Sequence, residues 1–374
     1  MIEITHDNKF SSDFILDEFG DTSSISKKKE ETKLEKPKSS SDKTVVEIAE
    51  GKNLSQNTNE KQPIICIGGA TIDRKFYAKQ AIMSGTSNPV NSSTTVGGVA
   101  RNIAENLGRL ENEVTFISTV GDDSDWIEID QVSSPFLNLE HVTKLEHAAT
   151  GSYTAVLDPH GNLEIALADM DVFDEITPEL LRTKRDILKQ AKCIIVDLNC
   201  PRESVEFLSQ FTMEHTIPLV VIPVSSPKMD RLPNSLEAVN WLIVNKDETE
   251  TFLGMKITNM EDWKQSVEGW QKLGAKNVIV THGAEGVVLG DENGTFRHYP
   301  AIATPEVVDV TGAGDAFCSA VVHSWLKKKD IDYIIRSGLV NSHKTITSKH
   351  TVRKELSENQ IKSDMEAIFD GKIS

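Results

Sequence analysis

The sequence predicts an α/β protein: a mostly parallel central sheet buried on both faces, helices on either side of it, and a second, smaller sheet. Three observations point there. Continuous apolar runs recur at Ile64–Ile67, Val114–Ile117, Cys193–Val196, Leu219–Val224, Trp241–Val244 and Val278–Val280. Segments of helical periodicity separate most of them, as expected of strands covered on both faces by crossover helices. Two other stretches, about 71–96 and 148–170, alternate apolar with polar residues and read as half-buried strands.

Taken in order, residues 1–62 read as a disordered polar tail. They are rich in Ser, Lys, Glu, Asn and Thr, with too few apolar groups to offset the entropy of ordering. Phe10 to Phe19 is a short exception, with Phe14, Ile15 and Leu16 between acids. It could dock on a partner as a helix, although a transiently sticky patch is the plainer reading. Order is expected over 63–374. The first strand, Ile64–Ile67, ends on Gly68 and Gly69. Helices are expected over 98–110, 203–213, 260–273 and 313–327. In the first, Ala100, Ile103, Ala104, Leu107 and Leu110 share a face. In the last, Phe317, Ala320, Val321 and Ser324 do so, and Lys327–Lys329 complement the C-terminal dipole. The segment from Thr150 to Asp158, a turn at Pro159–Asn162 and the segment Leu163–Leu167 read as a β-hairpin.

Bulk properties narrow the partners. The chain has 374 residues and a net charge of −17, from 40 basic and 57 acidic residues. Without a long basic block, nucleic acid and anionic membranes are not expected partners. Cys66, Cys193, Cys200 and Cys318 form no C-x-x-C pair, so neither a disulfide framework nor a zinc site is expected. No apolar stretch approaches the roughly 20 residues that span a bilayer. The N-terminus carries acids and no signal-peptide core, so a cytoplasmic protein is expected.

Four motifs carry chemistry. The run Asp309-Val310-Thr311-Gly312-Ala313-Gly314-Asp315 opens a helix. The N–H groups of Gly312, Ala313 and Gly314 are expected to lie bare at its positive end, which attracts a phosphate or a developing oxyanion. Asp315 beside such a site would repel a bound phosphate, which makes sense if it takes a proton from an attacking hydroxyl; alone, it would read as a favourable first-turn acid. Gly97-Gly98-Val99-Ala100-Arg101-Asn102 opens another helix. Asn245-Lys246-Asp247-Glu248 follows the strand 241–244. Its oxygens suit Mg²⁺ through water, and its spacing also suits an ordinary capping box. Thr281-His282-Gly283 and Gly286 form a glycine turn between two strands.

Together, and in this order, the four motifs resemble the ribokinase-like, or PfkB, family of carbohydrate and nucleoside kinases over about residues 63–356. The run 309–322 matches that family's C-terminal signature throughout. The earlier stretch 97–121 departs from the pattern at Glu111, where glycine or serine is usual. There the helix should end, with Asn112 able to take the left-handed cap. Gly68-Gly-Ala-Thr-Ile-Asp73-Arg74-Lys75, Gly97-Gly-Val-Ala-Arg-Asn102, Ala168-Asp-Met-Asp171 and Pro223-Val-Ser-Ser-Pro-Lys228 are most similar to the pseudouridine kinases within it.

The resemblance implies a three-layer α/β/α sandwich in which the small sheet is a lid that keeps water from the reaction. It implies transfer of the γ-phosphoryl of ATP, carried with Mg²⁺, to pseudouridine or a related nucleoside or sugar. Asp315 would be the base and Gly312, Ala313 and Gly314 the anion site. Asp73, Gly98, Asn102 and Asn199 would hold the sugar; Thr281, Gly283, Thr311, Asn341 and Lys228 would line the nucleotide. Asn245 and Glu248 would hold Mg²⁺ through water, and a monovalent cation, K⁺, would sit near Asp309. The lid edge is a candidate homodimer surface. A pseudouridine-5′-phosphate glycosidase, on a separate polypeptide, would be a functional partner.

Overall fold

The computed structural model describes residues 62–304 and 306–370. The tail expected over 1–62, apart from its last residue, and the Phe10–Phe19 segment lie outside the described residues.

The strands are β1 (Ile64–Ile67), β2 (Thr71–Ala78), β3 (Val90–Gly97), β4 (Val114–Ile117), β5 (Thr119–Gly121), β6 (Thr143–Leu145) and β7 (Ser152–Leu157). Then come β8 (Leu163–Asp169), β9 (Cys193–Asp197), β10 (Leu219–Ile222), β11 (Val239–Asn245), β12 (Asn277–Thr281), β13 (Val287–Gly290) and β14 (Phe296–Tyr299). The helices are α1 (Val99–Arg109), α2 (Ser124–Ser133), α3 (Pro178–Thr183), α4 (Arg185–Leu188) and α5 (Arg202–His215). They continue with α6 (Lys246–Leu253), α7 (Met260–Lys272), α8 (Ala313–Leu326), α9 (Ile331–Ile346) and α10 (Glu358–Met365).

The central sheet runs β14-β13-β12-β11-β10-β9-β1-β4. From β12 to β4 all neighbours are parallel, and β13 and β14 add an antiparallel edge. Strand alternation supplies two cores. Ile65, Ile67, Ile194, Val196, Leu242 and Val280 face one side and pack with residues of α5 and α7. Ile64, Cys66, Ile195, Ile243 and Ile279 face the other and pack with residues of α1, α8 and α9. This is why these strands read as unbroken apolar runs: neither face meets water. It is the expected three-layer arrangement, with a separate sheet ordered β3-β2-β7-β8.

The expected hairpin forms as β7 and β8, antiparallel from Ser152↔Asp169 to Leu157↔Leu163. Strand β10 stops at Ile222, two residues short of the expectation, before Pro223, which has no N–H to give a ladder. One expectation near α1 changes. Glu111, not Asn112, takes the left-handed conformation, with φ 62°. Its N–H bonds to Gly108 O at 2.9 Å while that of Asn112 reaches Leu107 O at 3.1 Å, the two bonds of a Schellman cap. The Asn112 side chain is spent on Leu107 O, at 2.9 Å, one position further on.

Candidate active site

The parallel strands β1, β9, β11 and β12 end on one edge of the sheet, and Asn199, Asn245, Glu248, Thr281 and Gly283 lie at or after those ends. Gly98 and Asn102 open α1, Asp73 and Lys75 lie on β2, and Asp309–Asp315 lead into α8. In open α/β sheets ligands bind at that edge. The loop that leads into α8 is built by a tight turn. Gly312 has φ 79° and ψ 0°, and Ala313 N–H closes the turn on Val310 O at 3.2 Å. That is a type II turn, which needs glycine at its third position. Any side chain at residue 312 would also strike Thr351 O. The turn corrects one expectation: Ala313 N–H is used inside the protein. The N–H groups of Gly312 and Gly314 have no partner among the described residues, and nothing lies within 4 Å of a Cβ built at Gly314.

Asp315 stands in the first turn of α8. Asn102 Nδ2 donates to its Oδ2 at 2.7 Å across 213 residues of chain. Burial pushes the Asp315 carboxyl up to about 7; Asn102 and the Arg101 guanidinium pull it down, and Asp197 and Asp73 push it further up. A base near 7 is matched to accepting a proton at neutral pH. Asn102 is itself held: its Oδ1 accepts from the Arg101 guanidinium, which also bonds Glu105. That bond fixes which way the amide faces, so the NH₂ points at Asp315.

Asp73 lies on β2. Its Oδ1 accepts from Thr71 Oγ1 at 2.8 Å, and burial raises its pKa. Gly97 of β3, paired with Thr71 of β2, leaves the space the Asp73 carboxylate fills. Gly98 has φ 95° and abuts Gly69 O, so a side chain there would push the loops apart. Asn199 is buried, and its Oδ1 has no partner.

Asp197 is a residue that the sequence did not single out. It is fully buried at the end of β9, and its carboxylate accepts from Gly69 N, Ala100 N, Asn199 N and Asn199 Nδ2 at 2.9–3.1 Å. It therefore ties together the loop after β1, the start of α1 and the loop after β9. Burial raises its pKa against those four bonds. The one signal in the sequence was an acid closing a buried apolar run.

Lys75 is the second such residue. Its Nζ donates to Asp309 Oδ2 at 2.7 Å and to Thr311 Oγ1 at 3.1 Å. Asp309 Oδ1 accepts from Thr311 N at 2.9 Å and Thr311 Oγ1 at 2.6 Å. Partial burial works against ionisation of Asp309, but Lys75 and Thr311 outweigh it and leave its pKa low.

Asn245 and Glu248 form a full capping box at the start of α6, with both bonds at 2.8 Å. Burial pushes Glu248 up to about 7, so a buried carboxylate there would gain from a nearby cation. Among the described residues no cluster of three His, Cys, Asp or Glu could ligate a metal. With one oxygen of each residue already in the box, the pair fits a hydrated ion better than a directly ligated one. Asn245 pairs with Thr281 across β11 and β12, which sets the Thr281–Gly283 turn beside the box. Lys228 lies half-buried in the 226–231 turn with its pKa lowered by burial and by Arg231.

Asn341 does not fit its expected role. Its side chain is fully buried, donating to Ala316 O at 2.8 Å and accepting from Arg353 Nε at 3.0 Å. Its amide serves the packing of α8 against α9 and the 351–353 segment.

Comparison with known proteins agrees with this geometry. The chain is 28% identical to a pseudouridine kinase of Escherichia coli over 80% of its length and 95% of that protein's. It is 27% identical to a guanosine-inosine kinase of Exiguobacterium acetylicum, covering 76% of this chain and 94% of that one. Its fold superposes on a ribokinase of Arabidopsis thaliana, solved with ribose and ATP, with a TM-score of 0.73 at 18% identity, covering 82% of this chain and 99% of that chain. Residues 61–357 match the family model of the pfkB family carbohydrate kinases. The chain belongs to that family, whose members are phosphotransferases acting on sugar or nucleoside hydroxyls.

Proposed function

We propose that this protein transfers the γ-phosphoryl of ATP to the 5′-hydroxyl of pseudouridine, giving pseudouridine 5′-phosphate. The observation that carries the reading is the Asn102–Asp315 contact, which joins the glycine-rich start of α1 to the acid beside the anion loop. Asp73, Gly98 and Asn102 would hold the ribose, since a carboxylate accepts two vicinal hydroxyls in charge-assisted bonds. Asp315 would take the 5′-hydroxyl proton as the oxygen attacks phosphorus. The Gly312 and Gly314 amides would receive charge on the transferring phosphoryl. Thr281, Gly283, Thr311 and Lys228 would line the nucleotide. Positioning and electrostatics carry most of such a reaction. Mg²⁺ bound with ATP would sit near Glu248 and Asn245 through water and neutralise phosphate charge.

The likeness to a pseudouridine kinase supports the choice of nucleoside. A guanosine or inosine acceptor is the second reading, because the relative named for those substrates is almost as similar. Purified protein with MgATP and a panel of pseudouridine, uridine, guanosine, inosine, adenosine, ribose and fructose tests both, read by ADP release and product mass. Turnover with pseudouridine above the rest supports the first reading; preference for guanosine or inosine replaces it. No turnover with any member would leave a ligand-binding homologue.

We also place the protein in the cytoplasm. Its four cysteines are free and buried, and among the described residues no helix is long and apolar enough to cross a membrane. A separate glycosidase would consume its product. The lid edge strand β8 would pair two copies into a homodimer, since all its residues are exposed.

A further inference from the structure

Resting on that kinase reading, we propose that Lys75 is the resident cation of the phosphate loop: its ammonium, delivered by the small sheet, holds Asp309 and Thr311 where a free K⁺ was expected, so nucleotide binding needs no monovalent ion. Residues two apart on a strand share a face, so Lys75 points the same way as Asp73. From there it reaches a loop 234 residues later in the chain. A K⁺ beside Asp309 would need that carboxylate and the neighbouring hydroxyl, the groups that Lys75 Nζ already contacts at 2.7 and 3.1 Å. Two like charges cannot share them without strong repulsion, so the residues present do not fit the free ion.

The hydrogen bonds are mutually consistent. Thr311 Oγ1 donates to Asp309 Oδ1 and accepts from Lys75, while Thr311 N–H donates to the same Asp309 oxygen. Both Thr311 donors end on Asp309, two Lys75 donors end on Asp309 and Thr311, and the next residue is Gly312. The ammonium thus fixes the loop that aims the anion-binding amides. The Lys75 and Asp309 side chains are 24% and 38% exposed. An ion pair that open adds little to stability, so Lys75 acts as a positioning residue and its effect belongs to nucleotide affinity.

The test measures MgADP affinity of the full chain by calorimetry, in choline chloride and in KCl at equal ionic strength. Wild type should bind within about twofold in the two salts. Lys75→Ala should bind about tenfold more weakly in choline, the cost of losing a charged hydrogen-bond partner. Added K⁺ or ethylammonium should restore part of that loss, and the melting temperature should stay near wild type. The proposal is overturned if wild type gains severalfold from K⁺, if Lys75→Ala matches wild type in choline, or if neither cation restores the variant. Because MgADP binding needs no acceptor, a wild type that binds it yet ignores pseudouridine overturns only the substrate assignment. A wild type that binds no MgADP overturns both.

Discussion

Asp315 meets two opposed demands. A general base must be ionised, yet its partly enclosed position pushes its pKa up to about 7. If it is the base, kcat/KM should rise with pH through about 7 and then level off, and a profile flat from pH 5 to 9 would remove it from that role. Asp315→Asn should lower kcat by about 10²- to 10⁴-fold while MgADP affinity is kept. The same shift bears on stability. A carboxyl whose folded pKa lies above its unfolded value favours the fold fully below about pH 4 and loses that contribution as pH rises through about 7. Asp315→Asn should therefore melt higher than wild type at pH 8 and much the same at pH 4, by calorimetry. An equal or lower melting point at pH 8 would show that the ionised acid costs the fold nothing. At this scale the sequence was only partly legible. Asp315 was readable as a candidate because an acid next to bare amides demands a reason. Lys75 and Asp197 were not, because their meaning depends on groups 234 and 128 residues away.

Single elements show where local chemistry is less than ideal. Helix α1 ends with Glu111 in the left-handed region, a conformation costing a non-glycine residue about 1–2 kcal/mol. Glu111→Gly should raise the unfolding free energy by about 1 kcal/mol in urea titration, with turnover unchanged. No gain would mean that the Glu111 side chain contributes something that offsets the strain. The buried strands were legible because a short, continuous β-branched run suits a strand covered on both faces and little else. Helices α1, α5 and α7 were legible because each carries an apolar stripe, and α8 because a mostly apolar run follows the glycine turn. Helix α2 was missed: it buries only Trp126, Ile129 and Ser133. Strands β5 and β6 are three residues each, too short for a pattern to emerge. Asn341 misled for the opposite reason, since a polar residue in a helix near the signature run looks the same in sequence whether it serves a ligand or the core.

The whole molecule presents an exposed apolar stripe on its small sheet. Leu163, Ile165 and Leu167 share a face of the edge strand β8 and are 57%, 50% and 56% exposed. An open edge with such a stripe invites a second strand. Sedimentation velocity should find the wild type dimeric, and Ile165→Glu should give a folded monomer. A monomeric wild type at micromolar concentration would refute the pairing. The order of the site residues along the chain carries a further consequence. Asn102 awaits Asp315, and Gly312 rests against Thr351 O. During synthesis the first two-thirds of the chain emerge with the proposed sugar-side residues already present but without Asp315. If Asp315 is the base, a nascent chain would be chemically inert until almost its full length has left the ribosome, and a product truncated before α8 would be unable to spend ATP.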